Sequence, residues 1–114
     1  MTARRMSLST LSVLSALLAE PAAELYGRQI AGRTDLPPAT TYPILLRLQE
    51  DGWVCGRWED VDPHHEQRPR RHYYRLTECG LSEARDAIRA ARNRLSRLPG
   101  GTSDPSMMTT APGT

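Results

Sequence analysis

Pro38-Ala39-Thr40-Thr41-Tyr42-Pro43-Ile44-Leu45-Leu46-Arg47-Leu48-Gln49-Glu50-Asp51-Gly52 reads as one short helix with a marked start and a marked stop. Pro38 suits the first helical position, where the missing amide hydrogen would have had no intrahelical partner. Gly52 is the residue best able to adopt the left-handed conformation that ends a helix. Thr41, Leu45 and Leu48 recur at helical spacing and form the stripe that must be buried. Thr40 and Tyr42 then lie on the N-terminal turns, away from that stripe.

Upstream, Met6 to Ala19 carries Leu8, Leu11, Leu14, Leu17 and Leu18, with Val13 widening the stripe, and predicts a core helix covered on most sides. Glu24 to Arg33 predicts a second, shorter helix with Leu25, Tyr26 and Ile30 turned inward. Gly32 weakens it and Asp35-Leu36-Pro37-Pro38 stops it. Downstream, Trp53 to Glu59 and Arg71 to Leu76 are aromatic and β-prone, which predicts two antiparallel strands. Asp60 to Arg70 between them is polar, and Pro63 and Pro69 argue against regular strand there, so it reads as a flexible hairpin tip. Thr77 is a natural N-cap for a last helix to about Leu98, with Glu78 complementing the dipole in its first turn.

In that last helix Leu81, Ala84, Ile88, Ala91, Leu95 and Leu98 alternate at spacings of three and four, the seam of a coiled coil. A second copy of the chain is the expected partner. Glu83, Asp86, Arg89, Arg92, Arg94 and Arg97 lie off the seam and read as a solvated flank. Pro99 to Thr114 is mostly Gly, Pro, Ser and Thr, too polar to offset the entropy of ordering, and reads as a disordered tail.

Composition narrows the function classes. The chain of 114 residues has room for one hydrophobic core, built without Phe. Its formal net charge is only +2, so a basic surface must come from placement rather than from the total. Every basic residue is Arg, the side chain that pairs bidentately with phosphate and guanine. Cys55 and Cys79 show neither a CxxC spacing nor a disulfide framework, which fits a reducing cytoplasm. Leu8 to Ala19 is too short and too serine-rich to cross a bilayer and lacks a convincing cleavage site, so neither membrane nor leader is expected. Asp60, Asp62, His64, His65 and Glu66 are potential metal ligands, but adjacent loop histidines lack the i, i+4 facing of helical zinc sites. The sequence carries no nucleophile–base pair and no phosphate-cradling glycine loop, so neither enzyme nor cofactor is expected.

Taken together the order of elements is that of a mainly α protein with a small β-hairpin: a winged helix-turn-helix over residues 6–76, a C-terminal dimerisation helix over 77–98 and a disordered tail over 99–114. Three fragments in this order make the resemblance specific. Leu25-Tyr26-Gly27, the Pro38 to Gly52 helix, and Arg68-Pro69-Arg70-Arg71-His72-Tyr73-Tyr74-Arg75-Leu76-Thr77-Glu78-Cys79-Gly80 together resemble the PadR family of bacterial transcriptional regulators, over roughly Leu8 to Leu98. The chain departs from that pattern at Pro37, where Ser or Thr is usual, at Ala39 in place of Gly, at Thr41 in place of Leu, and at Arg28, where an aromatic is common.

The resemblance implies a homodimer that binds double-stranded DNA, most simply as a repressor on a palindromic operator. The third helix is the element for the major groove, which admits an α-helix. Thr40, Tyr42 and Arg47 on it, Arg28 on the second helix, and Arg68, Arg70 and Arg71 on the hairpin are the expected DNA contacts. The helix N-terminus adds free amide donors for a phosphate. The histidines His64, His65 and His72 suggest that protonation near neutral pH strengthens DNA contact. Trp53 and Trp58 are either hairpin core or the lining of a cavity for a small apolar or aromatic effector. A winged helix that serves as a protein-protein adaptor, and an activator in place of a repressor, are the competing readings.

Overall fold

The computed structural model describes residues 6–99. The tail expected over 99–114 lies, apart from Pro99, outside the described residues. Among these residues the chain runs α1 (Leu8–Leu18), β1 (Leu25–Tyr26), α2 (Gly27–Thr34), α3 (Pro38–Glu50), β2 (Val54–Trp58), α4 (Pro63–Glu66), β3 (His72–Leu76) and α5 (Glu78–Ser96).

Ser7 starts α1, its hydroxyl accepting the Thr10 amide at 3.1 Å. Val13, Leu14, Ala16 and Leu17 are buried and form the centre of the core with Leu25, Ile30, Leu45, Leu48, Val54, Leu76 and Ala84. Leu8 is the exception to the expected all-round cover. It lies in the first turn of α1 and is 77% exposed.

The second helix begins at Gly27, three residues later than the periodicity predicts. Leu25 and Tyr26 are not helical: they pair antiparallel with Tyr74 and Tyr73, so the sheet has three strands in the order β1-β3-β2 and not the two of a simple hairpin. The physical reason is tertiary. The β3 edge needs ladder partners, and Leu25 still reaches the core from an extended backbone. Gln29 Oε1 accepts the Tyr26 amide at 3.1 Å where helix succeeds strand.

The stop of α3 is a Schellman closure: Gly52, at φ 80°, donates to Gln49 O at 3.1 Å, and Trp53 donates to Leu48 O at 2.9 Å. That closure turns the chain directly into β2. β2 and β3 then pair in the register Val54↔Leu76, Gly56↔Tyr74 and Trp58↔His72, so the core face of the sheet continues outward along the wing. Thr77 caps α5 as expected, accepting the Gly80 amide at 2.9 Å, while its own hydroxyl donates to Gly52 O at 2.8 Å.

The wing tip contains a short helical turn. Asp62 Oδ1 accepts the His64 amide at 3.0 Å, Pro63 takes the first helical position of α4, and Gln67 closes the turn in the left-handed region at φ 57°. Pro63 excludes a strand there, as the sequence suggests, but it favours a helix start equally well.

The α5 helix packs along α1, and this divides the seam. Ala84 is fully buried within its own chain and Leu81 is packed against the same core. Ala84 therefore has no surface left for a second copy, because α1 covers that end of the helix, while Leu81 remains partly exposed. Ile88 and Ala91 are half-buried, and Leu95 and Leu98 are 48% and 53% exposed. No helix of the described residues is long and apolar enough to cross a membrane.

Candidate nucleic-acid interface

The core fixes the orientation of α3. Thr41, Leu45 and Leu48 point inward, and the buried Thr41 hydroxyl, the one polar group on that stripe, donates to Pro37 O at 3.1 Å. Satisfying a buried hydroxyl within its own helix removes the penalty of placing it among leucines. The start of α3 is sparser in donors than a typical helix end. Pro37 and Pro38 have no amide hydrogen, and the Thr40 and Thr41 amides both donate to Pro37 O. Ala39 N–H is what remains for a phosphate, which trims the several donors expected there.

Tyr42, Leu46 and Gln49 turn toward the wing. They line an open groove of about 700 Å³ whose other walls are Tyr26, Gly27 and Arg28 from the start of α2, Trp58, His72 and Tyr74 from the sheet, and the Arg68 to Arg71 run. The Tyr42 ring lies so close to Gly27 that no Cβ fits between them, which gives that glycine a steric reason. Tyr42 is nevertheless 45% exposed, so it is both packed and accessible. Gly56 plays a similar part across the groove. His72 folds its ring over it, edge-on to Trp58 at 4.6 Å and to Tyr74 at 4.5 Å.

Burial of this kind disfavours an imidazolium and holds the His72 pKa below its usual 6.5. This direction runs against the expectation that His72 carries a proton toward DNA near neutral pH. Burial also pushes the Tyr74 phenol up, with the nearby Tyr42 hydroxyl adding to the effect.

The arginines sort into two groups. Arg57 is held by Glu24 through Nε and Nη2 at 2.8 and 2.7 Å, and its guanidinium lies 5.1 Å from the Tyr73 ring centre. Arg68 is held bidentately by Glu59, at 2.7 and 3.0 Å. The Arg68 guanidinium and the Arg71 amide draw the Glu59 carboxyl down to about 2. Arg68 is thus engaged as a strut across the wing base.

Arg28, Arg47, Arg70, Arg71 and Arg75 form no carboxylate ion pair among the described residues. Arg70 Nε donates to Val61 O at 2.8 Å, and Arg71 lies 4.3 Å over the Tyr26 ring. Arg28, Arg70 and Arg71 converge on the groove, and Arg47 stands on the far flank of α3, beside Thr40. Cations held by aromatic faces and backbone carbonyls keep their charge available to an outside anion.

The two tryptophans are not brought together. Trp53 precedes β2 and packs on the core, whereas Trp58 ends the strand and is among the exposed large apolar residues. The groove takes Trp58 into its wall and leaves Trp53 out. Sequence reasoning missed Tyr26, Leu46, His72 and Tyr74 as groove walls. Leu46 alone left a signal, being a large apolar residue off the buried stripe.

Solved structures with this architecture include transcriptional regulators. The PcaV transcriptional regulator of Streptomyces coelicolor, solved with its natural ligand, superposes with a TM-score of 0.68 at 27% identity, covering 96% of this chain and 73% of that one. A PadR-like transcription factor from Bacteroides fragilis gives 0.59 at 25% identity, covering 76% and 82%. BpsR of Bordetella bronchiseptica, whose DNA binding is regulated by 6-hydroxynicotinic acid, gives 0.72 over 96% and 77%, but at 14% identity this likeness concerns the fold alone. No curated protein matches the chain significantly. The model of the transcriptional regulator PadR-like family matches residues 22–86, more than half of the sequence and the whole span from the start of β1 into α5. The chain is a winged-helix protein that belongs to the PadR-like family of transcriptional regulators.

Proposed function

We propose that the protein is a homodimeric, sequence-specific repressor that binds a palindromic operator in double-stranded DNA. The observation that carries this reading is the convergence of Arg28, Arg70 and Arg71, none bound to a carboxylate among the described residues, on the groove beside α3. Guanidiniums placed on both sides of a reading helix are positioned for the two phosphate strands that border a major groove. Thr40 and Arg47 on one flank and Tyr42 on the other complete the contact set. Arg68 acts through the shape of the wing, since Glu59 already holds its guanidinium.

Residues 6–76 form the DNA-binding unit in this reading, and the rest of α5 forms the dimer contact through Ile88, Ala91, Leu95 and Leu98. Two copies related by a twofold axis read two half-sites about one helical turn apart. A small apolar or aromatic effector relieves binding, and the groove walled by Tyr26, Tyr42, Trp58 and Tyr74 has the chemistry for one. Because Arg28 and Arg71 share that groove, such a ligand competes with DNA for the same side chains.

A mobility-shift titration against the DNA upstream of the protein's own gene, repeated at several salt concentrations, tests the reading. The expected result is a salt-sensitive shift. Failure to shift any upstream duplex in dilute buffer overturns it in favour of a protein-protein adaptor.

A further inference from the structure

The outward crest of α3 is apolar, and this is unusual for a surface that must meet nucleic acid. With Thr41, Leu45 and Leu48 inward, a rotation of about 100° per residue puts Ala39, Pro43, Leu46 and Glu50 on the opposite side, and all four are exposed. Leu46 is 57% exposed at the middle of the helix, a placement the fold gains nothing from. Pro43 costs the helix an internal hydrogen bond, since it has no amide hydrogen for the Ala39 carbonyl one turn back. Apart from the Glu50 carboxylate at its C-terminal end, the crest therefore offers methyl and methylene groups and no side-chain donor.

We infer that Ala39, Pro43 and Leu46 determine specificity by reading thymine 5-methyl groups in the major groove. This rests on the DNA-binding reading above and names what that reading leaves open. The thymine methyl is the apolar feature of a base-pair edge in that groove, and apolar side chains are its natural contact. Charge selects this occupant over an apolar protein surface. The crest is bordered by Arg28, Arg47, Arg70 and Arg71, which have no carboxylate partner among the described residues. An apolar strip between guanidiniums matches a row of methyls between two phosphate strands, whereas an apolar partner helix would leave those charges uncompensated.

The test begins with the protein's own choice of DNA, duplexes enriched from a random pool at low salt. Each thymine of the enriched site is then replaced by deoxyuridine, which removes only the methyl. Binding is expected to weaken about fourfold for each contacted thymine, the effect of burying one methyl group. Leu46→Ala or Pro43→Ala abolishes the response at one thymine each, with the salt dependence unchanged. Leu46 is exposed, so an unchanged thermal melt confirms that Leu46→Ala folds, and a melt no lower than that of the wild type does so for Pro43→Ala, which restores the missing helical amide. A bound site that tolerates deoxyuridine at every thymine overturns the inference and leaves DNA binding standing. Full sensitivity retained in both variants overturns the assignment to this crest. No enriched duplex at all removes the DNA-binding reading and the inference with it.

Discussion

The Glu59 carboxylate grips Arg68 with both oxygens, Oε1 accepting from Nη1 at 2.7 Å and Oε2 from Nη2 at 3.0 Å, while Oε1 also accepts the Arg71 amide at 3.2 Å. Three donors on one carboxylate tie the two sides of the wing together just beyond the last paired residues of β2 and β3. The charge that looks in the sequence like part of a DNA-binding run is here a bolt in the hairpin.

This pairing predicts a pH signature. The Glu59 carboxyl is drawn from 4.5 to about 2, by Arg68 first and then by the Arg71 amide and charge. A group depressed in the folded state contributes stability that is complete above its unfolded value and is lost as pH falls through the folded one. The Glu59 contribution is therefore present above about pH 4.5 and disappears toward pH 2. A carboxyl titration followed by NMR gives a wild-type midpoint near 2, and Arg68→Met returns it most of the way to the ordinary range. A midpoint indifferent to Arg68→Met contradicts the strut.

His72 works in the opposite sense to a DNA-binding switch. Its pKa is lowered by burial, so between that value and 6.5 the unfolded chain holds more protons than the folded one. Stability then falls as pH drops below about 6.5. His72→Phe keeps the ring packing against Trp58 and Tyr74 and flattens that part of the profile. Denaturant melts of both proteins from pH 5 to pH 7.5 measure the difference, and parallel profiles would falsify the assignment.

Gly80 and Gly27 predict contrasting costs. A Cβ at Gly80 runs into the Trp53 backbone carbonyl, which cannot yield, because Thr77 N donates to it at 2.9 Å. Gly80→Ala is expected to destabilise by about 1–3 kcal/mol, the range for overpacking. A Cβ at Gly27 meets instead the Tyr42 ring, which is half exposed and free to swing. Gly27→Ala costs less in a urea melt and shows its effect in DNA affinity. Equal losses of stability at the two sites would refute this ordering.

The two groups of arginines separate in the salt dependence of binding. Arg71→Ala lowers the slope of log K against log salt by about one unit, the loss of one phosphate contact. Arg57→Ala leaves the slope unchanged, because Glu24 already neutralises that guanidinium. Titrations at three or more salt concentrations distinguish the pair, and an unaltered slope in Arg71→Ala removes that residue from the contact set.

Dimerisation is expected to depend on the open half of α5. Leu95→Glu places a charge on a side chain that is 48% exposed in the single chain, so the fold survives while the paired seam does not. Sedimentation should give a folded monomer with DNA affinity reduced about a hundredfold or more, the loss of two-site binding. A dimer that persists in Leu95→Glu places the interface elsewhere.

Where local chemistry dominates, the sequence is sufficient. The α3 boundaries, the Gly52 stop, the Thr77 cap and the Thr41-Leu45-Leu48 stripe follow from capping, left-handed tolerance and helical period, all properties of a few neighbouring residues. Partners distant in the chain were decided only by the tertiary structure. Leu25 and Tyr26 are extended because β3 offers them a ladder, Ala84 belongs to the core because α1 covers it, Arg68 is a strut because Glu59 faces it, and Trp53 and Trp58 separate because β2 carries them to opposite ends. Periodicity reports which side of an element is apolar. Which neighbour covers that side, and which carboxylate meets a given arginine, depends on how the elements pack.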